Sequence, residues 1–420
     1  MKCPRPLLLI ALIFTLCFCL GSCKDKKMNE SPVNKNKSAA EFLGHSEYRA
    51  MSYGGYRTLT RDDQPSLSQI KEDLKILSAI GVKVIRTYNL QLDQAPNILK
   101  AIRALKMEDA SFEMYVMLGL WIECENARQS PNHGAEDIAV NTAEIERAIT
   151  YSNQYPEIVK IIAIGNEAMV HWQSDYFVLP SVILNWVNHL QKLKSEHKLP
   201  SNLWITSSDN FASWGGGDAA YHNEDLTALI KAVDYISLHT YPFHDTHYNS
   251  SFWLESQKNI EHLDAKVRIE LAVQSAVDYA VFQYQAVESY VESLGVQTPI
   301  HIGETGWATA SENLYGTSGT QAADEYKQAL YYQKMSDWTI ANGVSCFYFE
   351  AFDEPWKDAP RPRGSENHFG LIDVEGTLKY ALWDEYDSGV FKGMTRDDKP
   401  LKKSFNGAFE EMFSTVKLPN

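Results

Sequence analysis

The sequence predicts a single (β/α)8 TIM barrel with long strand-to-helix loops, and three observations predict it. From residue 48 onward, short apolar runs alternate with longer amphipathic stretches. Eight such runs occur, each ending in polar or aromatic residues where a loop should begin. No internal repeat, low-complexity block or shift in composition marks a second domain. Near-continuous apolar strands separated by helices are buried on both faces, and a closed parallel barrel provides that burial for every strand.

In chain order the strands are expected at 48–53, 82–86, 113–118, 160–164, 203–207, 235–239, 300–303 and 346–349. Between them, residues 67–80, 141–153 and 324–341 place apolar side chains at helical spacing. The stretch after Pro355, through Phe369-Gly370-Leu371-Ile372, is expected to supply the last loop and the closing helices. The 420 residues could hold two or three average domains, but one barrel with long loops uses the same length.

Composition narrows the partners. Apolar residues make up 44% of the chain and charged residues 22%, so a large core is available. A net charge of -15 speaks against the phosphate backbone of nucleic acids and suits a neutral polymer such as a polysaccharide. Ten Trp are among the 12% of aromatic residues; most aromatics belong in a core, but exposed indole and phenol faces can stack on sugar rings.

At the N-terminus, Lys2 and Arg5 precede an apolar run over residues 7–20 that is too short for a comfortable bilayer span. Leu20-Gly21-Ser22-Cys23 closes it with small residues before a cysteine. Residues 1–22 are therefore expected to be a bacterial lipoprotein signal peptide and Cys23 the lipid anchor, with an ordinary secretory cleavage as the alternative. Residues 23–45, rich in Lys, Asn and Ser, read as a flexible tether, and the folded domain as 46–420, an exported monomer touching the membrane through lipid only. Of six cysteines, Cys3, Cys17 and Cys19 leave with the leader; Cys124 and Cys346 are expected to be free thiols, because they adjoin strands that are not sequence neighbours.

In such barrels, residues at the C-terminal ends of strands form the site. The fourth run ends Ile164-Gly165-Asn166-Glu167 and the seventh Ile302-Gly303-Glu304-Thr305-Gly306-Trp307, each with a glutamate at a strand tip. Cleaving a glycosidic bond needs two such carboxyl groups, one to protonate the leaving oxygen and one to attack the anomeric carbon or activate water, and retention requires them about 5 to 5.5 Å apart. With Glu304 ionised nearby, Glu167 is expected to hold its proton and act as acid, then as base once Glu304 is esterified. His244-Asp245-Thr246-His247 invites a metal reading, but it follows Pro242, reads as a solvated loop and lacks a third histidine; carboxylate-pair chemistry needs neither metal nor cofactor.

These motifs resemble glycoside hydrolase family 17, in the clan of retaining barrel glycosidases with acid/base after the fourth strand and nucleophile after the seventh. Gly303-Glu304-Thr305-Gly306-Trp307 looks like the nucleophile motif, and Phe349-Glu350-Ala351-Phe352-Asp353-Glu354-Pro355-Trp356-Lys357 resembles the eighth-strand motif of the fungal and bacterial branch. Ile85-Arg86-Thr87-Tyr88-Asn89 is also similar, while Asn166-Glu167 is shared by the whole clan. Ala308 departs from the pattern, standing where many members have proline. The resemblance implies β-1,3-glucan as substrate, with Glu167 as acid/base and Glu304 as nucleophile. Asn166 would hydrogen-bond the sugar 2-hydroxyl, and Tyr241 would donate its hydroxyl to Glu304. Tyr88, Arg86 and Glu350, at the ends of strands two and eight, either orient the carboxylates and the sugar or, for Arg86, form a structural ion pair. Trp121 and Trp307, with Trp214 and Trp356, are candidate sugar-stacking residues. Glucanosyl transfer through the same covalent intermediate, a non-catalytic surface glucan-binding lipoprotein, and a clan relative acting on other β-glycans are the competing readings.

Overall fold

The computed structural model describes residues 37–420. The leader, Cys23 and most of the expected tether lie outside the described residues. Parallel strands β1 (Arg49–Ser52), β2 (Val82–Arg86), β3 (Tyr115–Leu120), β4 (Val159–Asn166), β5 (Trp204–Asn210), β6 (Ile236–His239), β7 (Ile300–Gly306) and β8 (Cys346–Phe349) close into one barrel. Each is paired with its sequence neighbour, and β1 meets β8 through Ala50 opposite Phe347 and Met51 opposite Tyr348. Helices α1 (Leu67–Ala79), α2 (Gln94–Glu108), α3 (Ile138–Gln154), α4 (Pro180–Ser195), α5 (Glu224–Ala232), α6 (Ala265–Ser293) and α7 (Glu325–Ala341) lie between successive strands, and α8 (Trp383–Ser388) follows β8. The expected barrel is the one formed.

Helix starts follow from short polar caps. The Ser66 hydroxyl accepts from Gln69 N–H while the Gln69 amide oxygen accepts from Ser66 N–H, a reciprocal pair that begins α1. Asp137, Asn223 and Asp324 start α3, α5 and α7 with a one-way cap, each side-chain oxygen accepting a backbone N–H three residues on. The strands alternate faces. On β4, Ile162 and Ile164 join the outer core with Ile183 and Val187 of α4, whereas Ile161 and Ala163 join Val84, Met117, Tyr235 and Phe347 inside the barrel.

Two differences from the sequence reading matter. β4, β5 and β7 run on to Asn166, Asn210 and Gly306, past their expected ends at 164, 207 and 303. The extra residues are polar or small and look like loop, but inside the barrel mouth they find partners and stay in the ladder. Secondly, the segment expected to be tether is packed from Ala39 onward. Ala39–Glu41 forms a 3₁₀ turn, and Phe42, fully buried, stacks on Tyr115 with ring centres 5.0 Å apart. Phe42 and Leu43 plug the N-terminal end of the barrel, so the folded region begins before residue 46.

The C-terminal segment is fastened to α1. A hairpin of Thr395–Arg396 with Lys399–Pro400 puts Arg396 Nε 3.1 Å from Asp73, whose carboxylate also takes Arg57 at 3.0 Å and the Tyr53 hydroxyl at 2.9 Å. One buried acid thereby holds three stretches of chain. Cys124 and Cys346 are both free thiols. Among the described residues no helix is long and apolar enough to cross a membrane.

The plug gives a test. Phe42→Ala in the full chain should lower the free energy of unfolding by about 3–5 kcal/mol, the cost of deleting a buried aromatic ring, measured by guanidinium denaturation.

Candidate active site

Strand register assembles the site. It sets Ser52 opposite Arg86, Asn166 opposite Ser208 and His239 opposite Glu304, all at the C-terminal mouth of the barrel. Residues lining this level are small. A Cβ on Gly303 would lie 2.0 Å from the Ser237 hydroxyl oxygen and 2.7 Å from that of Ser208, so only glycine fits before Glu304. The room left by these small residues is filled by Arg86 and His239, both fully buried.

Arg86 occupies the middle. Its Nη1 donates to the Gly303 carbonyl at 2.9 Å and to Glu304 Oε1, and its Nη2 donates to Asn166 Oδ1 at 2.6 Å. Guanidinium has donors only. The Asn166 oxygen is therefore committed to Arg86, and the amide NH2 is the end left for another group. Tyr241 donates its hydroxyl to the second oxygen of Glu304 at 2.6 Å, as the sequence led one to expect. Burial alone would raise the Glu304 carboxyl, but the Arg86 guanidinium and the Tyr241 hydroxyl counter it and the group is held below the usual carboxylate range. Burial, with the negative charge of Glu304, pushes the Tyr241 phenol well up, so it remains a donor.

Glu167 sits at the tip of β4 with φ of +46°, just after Gly165 with φ of +87°. A left-handed glutamate costs roughly 1–2 kcal/mol, and the turn is held by Glu167 N–H on the Ser208 carbonyl at 3.0 Å and Met169 N–H on Asp209 at 2.8 Å. Asp209 is fully buried, and burial pushes its carboxyl up to about 6 despite hydrogen bonds from Ser213 and Met169. His239 Nδ1 lies 3.1 Å from Glu167 Oε1 and 3.8 Å from Glu304 Oε2. Those two oxygens are thus within about 7 Å of each other at most. The separation of about 5 to 5.5 Å used in double displacement lies inside that bound, and most of the about 6.5–9.5 Å range of single displacement lies outside it.

The remaining expected residues divide. Tyr88 lies under the Arg86 guanidinium, 4.8 Å from ring centre to Cζ, with its hydroxyl buried beside Glu304 and Ser52. Glu350 is buried with Lys357 Nζ 2.7 Å from Oε2, while Oε1 is unpartnered. The Tyr88 hydroxyl and Glu350 Oε1 are both closed off from solvent. Trp121 lines a recess of about 670 Å³ on the β1–β3 arc with Asn89, Glu123 and Arg128. Trp307 is a correction: it is fully buried among Phe243, Trp253 and Tyr331, its Nε1 bonded to the Ala322 carbonyl at 2.8 Å, and offers no face to a ligand. Its place after a strand tip suggested a loop, but β7 continues to Gly306 and the indole turns into the core. Trp214 is likewise fully buried. His244 and Asp245 lie on a short helix, Pro242–Tyr248, not in a loop; His244 Nδ1 contacts the Tyr315 hydroxyl at 3.1 Å and Asp245 accepts from Gln283 at 2.9 Å.

Three residues escaped the sequence reading. His239 ends a run that reads as core strand, and only pairing register sets it opposite Glu304; Asp209 lies two residues past the expected end of the fifth run. Trp172, 57% exposed, follows the Glu167 turn and lines a cavity of about 1160 Å³ with Glu167, Phe211, Tyr241 and Tyr248. Two carboxyl groups, one held ionised and one facing this cavity, can perform acid-assisted displacement at a carbon between them. If Arg86 keeps Glu304 ionised, Arg86→Lys, which cannot reach three partners at once, should move the acid limb of kcat/KM to higher pH. The loss of alignment should lower kcat/KM roughly a hundredfold, read from rates across an acidic pH series.

Residues 50–370 match the BtgE/BtgC glycoside hydrolase domain. Among solved structures, the chain is similar to an endo-laminarinase from Formosa Hel1_33_131, with 55% identity, a TM-score of 0.90, and coverage of 91% of this chain and 98% of that one. A glycoside hydrolase family 17 β-1,3-glucanosyltransferase from Rhizomucor miehei shares the fold at 19% identity and a TM-score of 0.55, over 80% of this chain and 96% of that one. Among curated relatives, the "Probable glucan endo-1,3-beta-glucosidase btgC" of Aspergillus terreus is 24% identical over 80% of this chain and 45% of its own length. The "Glucan 1,3-beta-glucosidase" of Arthroderma benhamiae is 26% identical over 74% of this chain and 83% of its own. The chain spans about half the length of the btgC relatives it matches. With the family's domain matched over most of its barrel, the chain belongs to the BtgE/BtgC glycoside hydrolases, of the family 17 type that its strand-tip motifs resemble.

Proposed function

We propose that this protein hydrolyses internal β-1,3-glucosidic bonds of laminarin-type β-1,3-glucan with retention of configuration. The observation that carries the chemistry is the pair Glu167 and Glu304, both within reach of one histidine nitrogen. The choice of glucan is supported by the endo-laminarinase to which the chain is 55% identical. Glu304 attacks the anomeric carbon as Glu167 gives its proton to the departing oxygen, forming a glycosyl ester; water, deprotonated by Glu167, then releases the sugar and restores both groups. Asn166 offers its amide N–H to the sugar 2-hydroxyl, because Arg86 holds its oxygen. The cavity beside Glu167 can also hold a sugar, and this favours glucanosyl transfer as the second reading.

Linear β-1,3-glucan oligosaccharides digested by the wild type should yield shorter β-anomers, and Glu304→Gln should be slower by about a thousandfold or more, followed by product length and anomer. Products longer than the substrate would move the assignment to transfer; retained binding without turnover would refute the enzyme. We further propose export and lipid anchoring through Cys23, supported by Leu20-Gly21-Ser22-Cys23. Cys23→Ser, expressed in a bacterium fed radiolabelled palmitate, should lose the label that the wild type takes up and leave the membrane fraction.

A further inference from the structure

We infer that His239 is a positioning residue that decides which oxygen of Glu167 carries the catalytic proton; this rests on the hydrolytic reading above. The imidazole is fully buried at the end of β6, between both carboxylates. Its Nε2 lies 2.7 Å from the Ser208 hydroxyl and 3.2 Å from Arg86 Nη1. Arg86 presents only hydrogens, and Nη1 already directs its two to Gly303 and Glu304. A hydrogen on Nε2 would therefore point towards a cation, whereas a bare Nε2 can accept from Ser208. The ring hydrogen is accordingly on Nδ1, where Glu167 Oε1 lies 3.1 Å away.

The consequence falls on Glu167. An oxygen that accepts from Nδ1–H is the carbonyl oxygen of the carboxylic acid, so the acid's hydrogen belongs on Oε2. Glu167 is among the residues lining the 1160 Å³ cavity, and Oε2 is its one oxygen not tied to His239. When the proton passes to the leaving oxygen, the resulting carboxylate keeps the His239 N–H and can draw a hydrogen from water in the second step. The proton taken from water restores the acid, and His239 itself neither gains nor loses one. Glu304, Arg86 and Asp209 also face the imidazole; the contacts with Arg86, Ser208 and Glu167 are the ones whose geometry depends on which nitrogen carries the hydrogen, and Arg86 opposes a hydrogen on Nε2.

Three variants test this in the full chain: His239→Asn, whose amide can place an N–H where Nδ1 stood, His239→Gln, whose amide reaches the Nε2 position instead, and His239→Ala. Thermal unfolding establishes that each is folded. On β-1,3-glucan, the Gln and Ala variants should lose about a hundredfold or more in kcat/KM, the contribution of a general acid, while Asn stays within about tenfold of wild type. On a dinitrophenyl β-glycoside, whose leaving group needs no proton, all three should keep kcat/KM within a few-fold of wild type. There the Ala variant should lower kcat and KM together, because release of the ester still needs the base. Equal losses on both substrates would overturn the inference in favour of a role through Glu304 or the fold, as would equal behaviour of Asn and Gln. Failure of the hydrolytic reading is separate and visible in the wild type, which would then not cleave the glucan at all.

Discussion

Inside the barrel mouth, Arg86 carries a charge away from water, and its placement constrains everything around it. A guanidinium so deeply buried needs a counter-charge and acceptors close by, and removal of a partner from such a pair costs about 3–5 kcal/mol. Two strands meet its Nη donors, Gly303 and Glu304 from β7 and Asn166 from β4, while Nε is buried without a partner. The same bonds that satisfy the arginine fix the orientation of the nucleophile candidate and of the amide beside the acid. Structural ion pair and functional orienter, posed as alternatives for this residue, are one arrangement seen from two sides.

That arrangement needs space, which explains the composition of the neighbouring positions. Lower in the barrel the interior is filled by Val84, Met117, Tyr235 and Phe347, with Phe42 and Leu43 closing the end. One layer higher, bulk gives way to Ser52, Ser208, Ser237 and Gly303, buried residues too small to fill the mouth themselves. Ser208 also bonds Ser237 at 2.8 Å and His239 at 2.7 Å, so the small layer is hydrogen-bonded and not a void. A rigid apolar floor and a polar, shaped upper layer divide the barrel between stability and chemistry.

How far the sequence could be read follows from where each signal resides. Period-two and helical patterns locate strands and helices, and Glu167 and Glu304 stand out because each ends an apolar run. Tyr241 was legible through its motif, and its hydroxyl does meet Glu304. His239 was not, since it ends an apolar run and makes sense only once pairing sets it opposite Glu304, and Asp209 was not, since it lies past the residue where the fifth run was expected to end. Trp307 misled for the converse reason: a strand that runs on longer than its apolar core carried an apparently exposed indole inward. Phe42 lay in a stretch whose composition reads as tether, and one aromatic ring is too small a signal to show that it seats against Tyr115.

The geometry also frames the choice between hydrolysis and transfer. Both share every bond change up to the glycosyl ester, and they part only when water or a sugar hydroxyl takes the place vacated by the departing chain. That place is on the Glu167 side, because the leaving oxygen is where Glu167 must deliver its proton. The cavity there is bounded by Trp172 and Tyr248, 57% and 67% exposed, with Phe211 between the β5 and β6 loops. Exposed rings hold a sugar by stacking that costs little to form and little to break, so the first chain can leave and water can enter. A deeper, closed acceptor site would bias the ester towards sugar. An open aromatic wall leaves both outcomes available: water reacts while the site is empty, and a sugar hydroxyl reacts once glucan is concentrated enough to reoccupy it first.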